Sequence, residues 1–111
     1  IYDSASLFLD LGLKMVVVKK GGQGAELFSN EENIKIGAYK VNVVDPTGAG
    51  DVFGGAFIST LAQGGTLSDS LVNGSAMASF CVEGFGTSCI LNVSVEELED
   101  RKSNLYSTLS S

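Results

Sequence analysis

The sequence predicts part of an α/β sheet protein, and three observations carry that reading. Met15-Val16-Val17-Val18 is a short, continuous β-branched run of the kind that fills a central strand covered on both faces. An extended segment at Val41 to Val44 runs into Asp45-Pro46, a turn of small residues, and then a helical pattern. Two further helical patterns follow it, and no internal repeat or low-complexity segment interrupts the chain.

Tyr2 to Leu13 reads as an amphipathic helix, with Ala5, Leu7, Phe8 and Leu11 on its apolar side and Gly12 as its stop. The strand at Met15 ends in a turn from Lys19 to Gly24, which holds three glycines. Ala25 to Ser29 is a second strand, followed by the polar turn Ser29-Asn30-Glu31-Glu32-Asn33. Ile34 to Tyr39 alternates apolar and polar, with a bend at Gly37. Pro46, the sole proline, holds Asp45 out of the helical region. The helix beyond it puts Val52, Phe53, Ala56, Phe57, Thr60 and Leu61 on one face and ends at Gly64-Gly65. Thr66 or Ser68 caps the next helix, from about Leu67 to Val82, and Gly84-Phe85-Gly86 breaks it. Ser94 and Glu97 form a capping box that opens a last helix to about Leu105, leaving Ser107 to Ser111 as a frayed tail.

Composition narrows the function classes. The 111 residues suit one small domain, and 44% hydrophobic with 18% charged residues fits a soluble globular chain. A net charge of −6 argues against non-specific nucleic-acid binding, which needs clustered cations to displace counterions. It leaves room for one anionic ligand held by backbone amides. The absence of histidine excludes Ser-His-Asp and Cys-His catalysis and His-ligated metal sites within the chain. Cys81 and Cys89 read as a buried reduced pair, two small hydrophobes rather than a scaffold. No apolar run approaches the roughly 20 residues of a membrane span. Ile1-Tyr2-Asp3-Ser4 lacks the basic start of a signal peptide, so a cytoplasmic protein is expected. The missing initiator methionine and the direct entry into a helical pattern suggest a piece of a longer chain.

The informative stretch is Asp45-Pro46-Thr47-Gly48-Ala49-Gly50-Asp51-Val52-Phe53-Gly54-Gly55. The amides of Gly48, Ala49 and Gly50 fall where a helix begins, and such amides have no partner inside the helix. Together with the helix dipole they make an anion site that glycine opens to close approach. A carboxylate beside a phosphate site needs a reason. Asp51 either stabilises the helix start, worth about 0.3–1 kcal/mol, or acts as a general base that takes a proton from an acceptor hydroxyl during phosphoryl transfer. Spacing alone leaves both open.

Asp45-Pro46-Thr47-Gly48-Ala49-Gly50-Asp51 followed by Phe53 resembles the second signature of the ribokinase (PfkB) family of carbohydrate and nucleoside kinases. Val17-Val18-Lys19-Lys20-Gly21-Gly22-Gln23-Gly24 resembles that family's strand with G-x-x-G, and the Ala-rich helix near Ser75 to Cys81, leading to Gly86, resembles the helix bordering its nucleotide pocket. The resemblance implies the carboxy-terminal part of a ribokinase-like three-layer αβα fold, with residues 1–111 as an ATP-binding portion. It implies transfer of the γ-phosphoryl group of ATP, with Mg2+, to a hydroxyl of a sugar or related small molecule.

The same resemblance assigns roles. Asp51 becomes the catalytic base, and the amides of Gly48, Ala49 and Gly50 the anion hole. Gly21 and Gly24 lie against the nucleotide phosphates or ribose. Thr47 borders the anion hole, and Ser75 and Gly86 flank the adenine. Asp45 and Thr47 match ligands of the potassium ion that many members hold. The residues that bind sugar or nucleoside, the lid that often forms a homodimer contact, and a motif that helps bind Mg2+ lie in the family's amino-terminal two-thirds. The isolated chain is therefore expected to be inactive.

Blander readings stand beside these. Gly21, Gly22 and Gly24 make a hairpin turn between two strands, Lys19 and Lys20 are solvated, and Phe53 and Phe57 are core. Glu83 is a solvated or helix-end charge, and Tyr2, Tyr39 and Tyr106 carry no readable signal. A dinucleotide-binding glycine turn conflicts with Asp51 facing a pyrophosphate. No G-x-x-x-x-G-K-[ST] exists, which excludes a P-loop kinase. A nucleoside acceptor, and a non-catalytic nucleotide-binding fragment, remain as alternatives.

Overall fold

The computed structural model describes residues 3–8, 14–19, 24–29, 32–41, 49–83 and 94–110. Four strands form one sheet in the order β1 (Asp3–Phe8), β2 (Lys14–Lys19), β3 (Ala25–Ser29), β4 (Asn33–Ile36), antiparallel throughout. Among the described residues three helices follow: α1 (Ala49–Ala62), α2 (Leu67–Val82) and α3 (Val95–Tyr106).

Period-two alternation sorts the strand side chains onto two faces. Val17, Leu27 and Ile34 are mutual partners across β2, β3 and β4, and Ala25 pairs with Ile36 one step along. Val17, Leu27, Ile34 and Ile36 bury into one core with Phe53 and Phe57 of α1, Leu67, Leu71, Val72 and Ala76 of α2, and Leu105 of α3. The other face is less covered by the described residues. Val16 and its partner Phe28 are each 38% exposed. The β-branched run is thus in a central strand, as expected, but among the described residues it is covered on one face only, as antiparallel sheets allow. Among the described residues there are two layers, sheet and helices; the expected third layer is not among them.

The first element differs from expectation. Asp3–Phe8 is a strand paired to β2, with Ser4 opposite Val18 and Ser6 opposite Val16, where periodicity predicts a helix. Serine competes poorly inside helices, and β2 offers an unpaired edge whose amides and carbonyls need partners. Residues 9–13, with the expected stop at Gly12, lie outside the described residues.

The turns and caps follow the chemistry of their residues. Ser29 closes the β3–β4 turn: its Oγ donates to the Glu32 carbonyl at 2.6 Å and accepts from the Glu32 amide at 2.9 Å. Gly64, at φ +89°, ends α1. Thr66, not Ser68, caps α2 in a full capping box, since its Oγ1 accepts from Asp69 N at 3.0 Å while Asp69 Oδ2 accepts from Thr66 N at 3.2 Å. Ser94 caps α3 as expected, its Oγ accepting from Glu97 N at 3.1 Å, while the Glu97 carboxylate accepts from the Ser94 hydroxyl at 3.0 Å rather than from its backbone amide as in a full capping box. Gly74 lets α1 lie directly on α2, because a Cβ there would sit 3.0 Å from both the Phe53 ring and its carbonyl oxygen. Asn73 adds a polar tie, donating to Thr60 Oγ1 at 2.9 Å.

The tail is not frayed. Lys35 and Ser110 exchange backbone hydrogen bonds of 2.7 and 2.9 Å, and the Gly37 amide donates to Thr108 Oγ1 at 2.9 Å. These bonds cap the outer edge of β4, which local sequence could not reveal. Cys81, 1% exposed, is disulfide-bonded where the sequence suggests a reduced thiol; Cys89 lies outside the described residues.

Tyr106 ties α3 to the start of α2 by donating to Asp69 Oδ1 at 2.6 Å. The bond needs a neutral phenol and a charged carboxylate. It holds the Tyr106 pKa up to about 12, and Tyr106 and the capping amide of Thr66 hold Asp69 below its usual 3.8. Asp69 is lowered, so its contribution is full above pH 3.8 and fades on acidification below it. Tyr106 is raised, so its contribution is full below pH 10.0 and is lost as pH rises towards 12. In thermal melts from pH 9 to 12, Tyr106→Phe is therefore expected to remove part of the alkaline fall seen in the wild type. Parallel pH curves for the two proteins would reject the link.

Candidate functional site

A cavity of about 540 Å3 opens where the sheet end, the start of α1 and one face of α2 meet. That size is within the range of small-molecule sites. Gly24 and Ala25 border it from β3, Gly37 to Val41 from the segment after β4, Ala49 and Phe53 from α1, and Ser75, Ala78, Ser79 and Val82 from α2. The lining is largely apolar, with backbone, Ser75, Ser79, the Tyr39 hydroxyl and the exposed Lys40 as the polar elements.

Local chemistry explains why the chain leaves space here. Gly24 is at φ +95°, and a Cβ at this position would come within 2.0 Å of the Ile36 carbonyl oxygen. Only glycine lets the end of the β2–β3 connection lie against β4 in this way. Small residues on α2, Ser75 and Ala78, set back that wall. Phe53 forms the floor and stacks on Phe57, with centroids 5.9 Å apart and planes at 27°.

α1 begins at Ala49, so the amides of Ala49 and Gly50 lie in its first turn, where no helical carbonyl is available to them. Asp51 follows in the same turn, with its side chain exposed. A carboxylate there is favoured by the positive end of the helix dipole, and its exposure leaves it free to meet a ligand.

The structure thus brings Gly24, Ala49 and Ser75 to one cavity, with Gly50 and Asp51 next to it on α1. Asp45, Thr47 and Gly48, together with Gly21 and Gly86, lie outside the described residues. β2 and β3 pair antiparallel, as the hairpin reading of the glycine turn requires; Gly21 and Gly22 themselves lie outside the described residues. Among the described residues no three His, Cys, Asp or Glu side chains gather as a metal site, and no helix is long and apolar enough to cross a membrane.

Three residues of the site gave no signal in the sequence. Tyr39 and Ser79 line the cavity. Behind them sits Arg101 of α3, whose guanidinium lies 4.6 Å from the Tyr39 ring centroid and 3.7 Å from that of Phe80. Its Nη1 donates to Ser79 Oγ at 2.9 Å, and its Nη2 lies 2.6 Å from Glu83 Oε1. The Glu83 oxygen accepts no aligned hydrogen bond, so this contact is electrostatic rather than directional. Glu83, read as solvated or a helix-end charge, is indeed at the C-cap of α2, but it is paired. These contacts join residues far apart in sequence, and periodicity carries no trace of them.

The chain is similar to known proteins. The profile of the pfkB family carbohydrate kinase matches residues 3–92. Ribokinase of Staphylococcus aureus (strain COL) is 39% identical over 85 residues, which is 76% of this chain and 28% of that enzyme. An Escherichia coli protein designated a ribokinase II, crystallised with ATP and Mg2+, superposes with a TM-score of 0.68 at 34% identity, over 81% of this chain and 29% of the other. Escherichia coli phosphofructokinase-2 in complex with potassium gives a TM-score of 0.68 at 28% identity, over 83% and 29%. The chain therefore spans under a third of the length of the relatives it matches.

Proposed function

We infer the activity from this premise: the chain belongs to the pfkB family of carbohydrate kinases. We propose that it supplies the ATP-binding portion of an enzyme that moves the γ-phosphoryl group of ATP to a hydroxyl of a sugar or related small molecule. One observation carries the reading. Gly24, Ala49 and Ser75, three residues that the motifs single out from distant parts of the sequence, line one 540 Å3 cavity at the N-terminus of α1.

The lining suits the purine and ribose of a nucleotide. An apolar slot with a few convergent polar groups is the usual form of such a site. The cavity opens at Ala49, where the amides of Ala49 and Gly50, with that of Gly48, would stabilise charge on the transferring phosphoryl group. Asp51, one step further along α1, would accept the proton of the acceptor hydroxyl as its oxygen bonds to phosphorus and the bond to ADP breaks. Mg2+ supplies charge neutralisation on the phosphates in such chemistry. Asp45 and Thr47 are the residues proposed to hold a potassium ion. Both cations are present in complexes of relatives. The acceptor site is assigned to residues beyond these 111, so the chain alone should bind ATP and not turn it over.

Calorimetric titration of ATP into the chain tests the reading. Saturable one-to-one binding is expected in the wild type, with loss of binding in Ser75→Phe, which fills the cavity from α2. Equal binding by both proteins would place the nucleotide elsewhere.

A further inference from the structure

We propose that Arg101 is a positioning residue for the nucleotide cavity, holding the Tyr39 wall against α2 from the far side; this rests on the ATP reading of the cavity. Arg101 touches none of the cavity itself. It contacts two residues that do, Tyr39 through its ring face and Ser79 through a hydrogen bond. The geometry uses the whole guanidinium. The plane lies over the rings of Tyr39 and Phe80, while separate nitrogens meet Ser79 and Glu83. With a side chain only 13% exposed, the group is not a solvated surface charge.

The charges also balance. Glu83 at the C-cap of α2 stands at the negative end of the helix dipole, an unfavourable place for a carboxylate. Arg101 neutralises it. Ser79, fixed by donating to the Ala76 carbonyl at 2.6 Å, presents its oxygen to Arg101. Arg101 is thereby held at three points on α2 and one on Tyr39. The segment after β4 carries no regular structure from Gly37 to Val41. At Tyr39 the Arg101 contact joins it to α3, beside the packing of Tyr39 against the main core. Lysine cannot reproduce this, since it lacks both the planar face and the fork of donors.

The experiment is an ATP titration of the chain and three variants, each paired with a thermal melt and with an NMR measurement of Tyr39 ring mobility. Arg101→Met should weaken ATP binding about tenfold, as expected when one wall of a preorganised site is released. Arg101→Lys keeps a charge beside Glu83 and should fall between it and the wild type, which covers the case in which the methionine variant does not fold. Tyr106→Phe loosens α3 at the other end, away from the cavity, and should lower the melting temperature while leaving affinity unchanged. Wild-type affinity in both Arg101 variants, or an equal loss in Tyr106→Phe, overturns the proposal. So does a Tyr39 ring that stays as restrained in Arg101→Met as in the wild type. If the wild type binds no ATP but Arg101→Met still frees the Tyr39 ring, the ATP reading fails and the positioning role stands.

Discussion

Asp51→Asn is expected to lower turnover of the proposed kinase by about 10²–10⁴-fold, the usual contribution of a positioned general base. ATP affinity should stay within about twofold, because uniform binding and transition-state binding are separable losses. The reasoning starts from geometry. Asp51 is exposed in the first turn of α1, does not line the cavity, and has a nearly isosteric amide as its replacement. Asparagine keeps the size and most of the helix-start preference of aspartate, so folding should be little affected. What it cannot do is accept a proton at neutral pH. Steady-state kinetics with a sugar panel, together with ATP titration of the same variant, separates the two effects. Near-normal turnover would remove Asp51 from the mechanism and leave it as a helix-start charge.

Phe57→Ala should cost about 3–5 kcal/mol of folding stability, the range for deleting a buried aromatic side chain. Phe57 is 0% exposed and is the largest of the fully buried side chains. It belongs to one core with Val17, Leu27 and Ile34 of the sheet and Leu71 and Val72 of α2. A small domain has only about 5–15 kcal/mol in total, so the variant should unfold near room temperature or lose cooperativity. The effect should also reach the site. Phe53, which stacks on Phe57, forms the floor of the cavity. Urea denaturation of the variant is the check, and a loss under about 1 kcal/mol would mean that the core collapses around the void.

Much of the fold was legible because its signals are local. The β-branched run of β2, the turn at Ser29, the helix that follows the Asp51 motif, and the caps at Thr66 and Ser94 each depend on neighbours within a few residues. Gly24, Ala49 and Ser75 were legible through motif and resemblance, and they meet in one cavity. The misses share a different cause. Tyr2 to Leu13 has a helical spacing of apolar residues, but whether a segment becomes helix or strand depends on the edge waiting beside it, and that edge was supplied by β2. Tyr39, Tyr106 and Arg101 show nothing in sequence because their partners lie on other elements, Tyr106 with Asp69 and Arg101 with Ser79 and Glu83. The one-sided cover of the sheet was hidden for the same reason, since a valine run looks alike whether one face or both are packed.

The cap on the edge of β4 has a consequence for how the chain reaches this state. The Gly37–Thr108 bond spans a sequence separation of 71, and the Lys35–Ser110 pair lies just outside it. Closing a loop of that length is slow compared with forming a hairpin or a helix. The β2–β3–β4 meander and the α1–α2 pair can therefore assemble first. In that interval β4 presents bare amides and carbonyls next to an apolar face that carries Val16 and Phe28. Such an edge recruits strands from other molecules. Dilution during refolding, or a chaperone during synthesis, would protect the interval between hairpin formation and arrival of the closing strand.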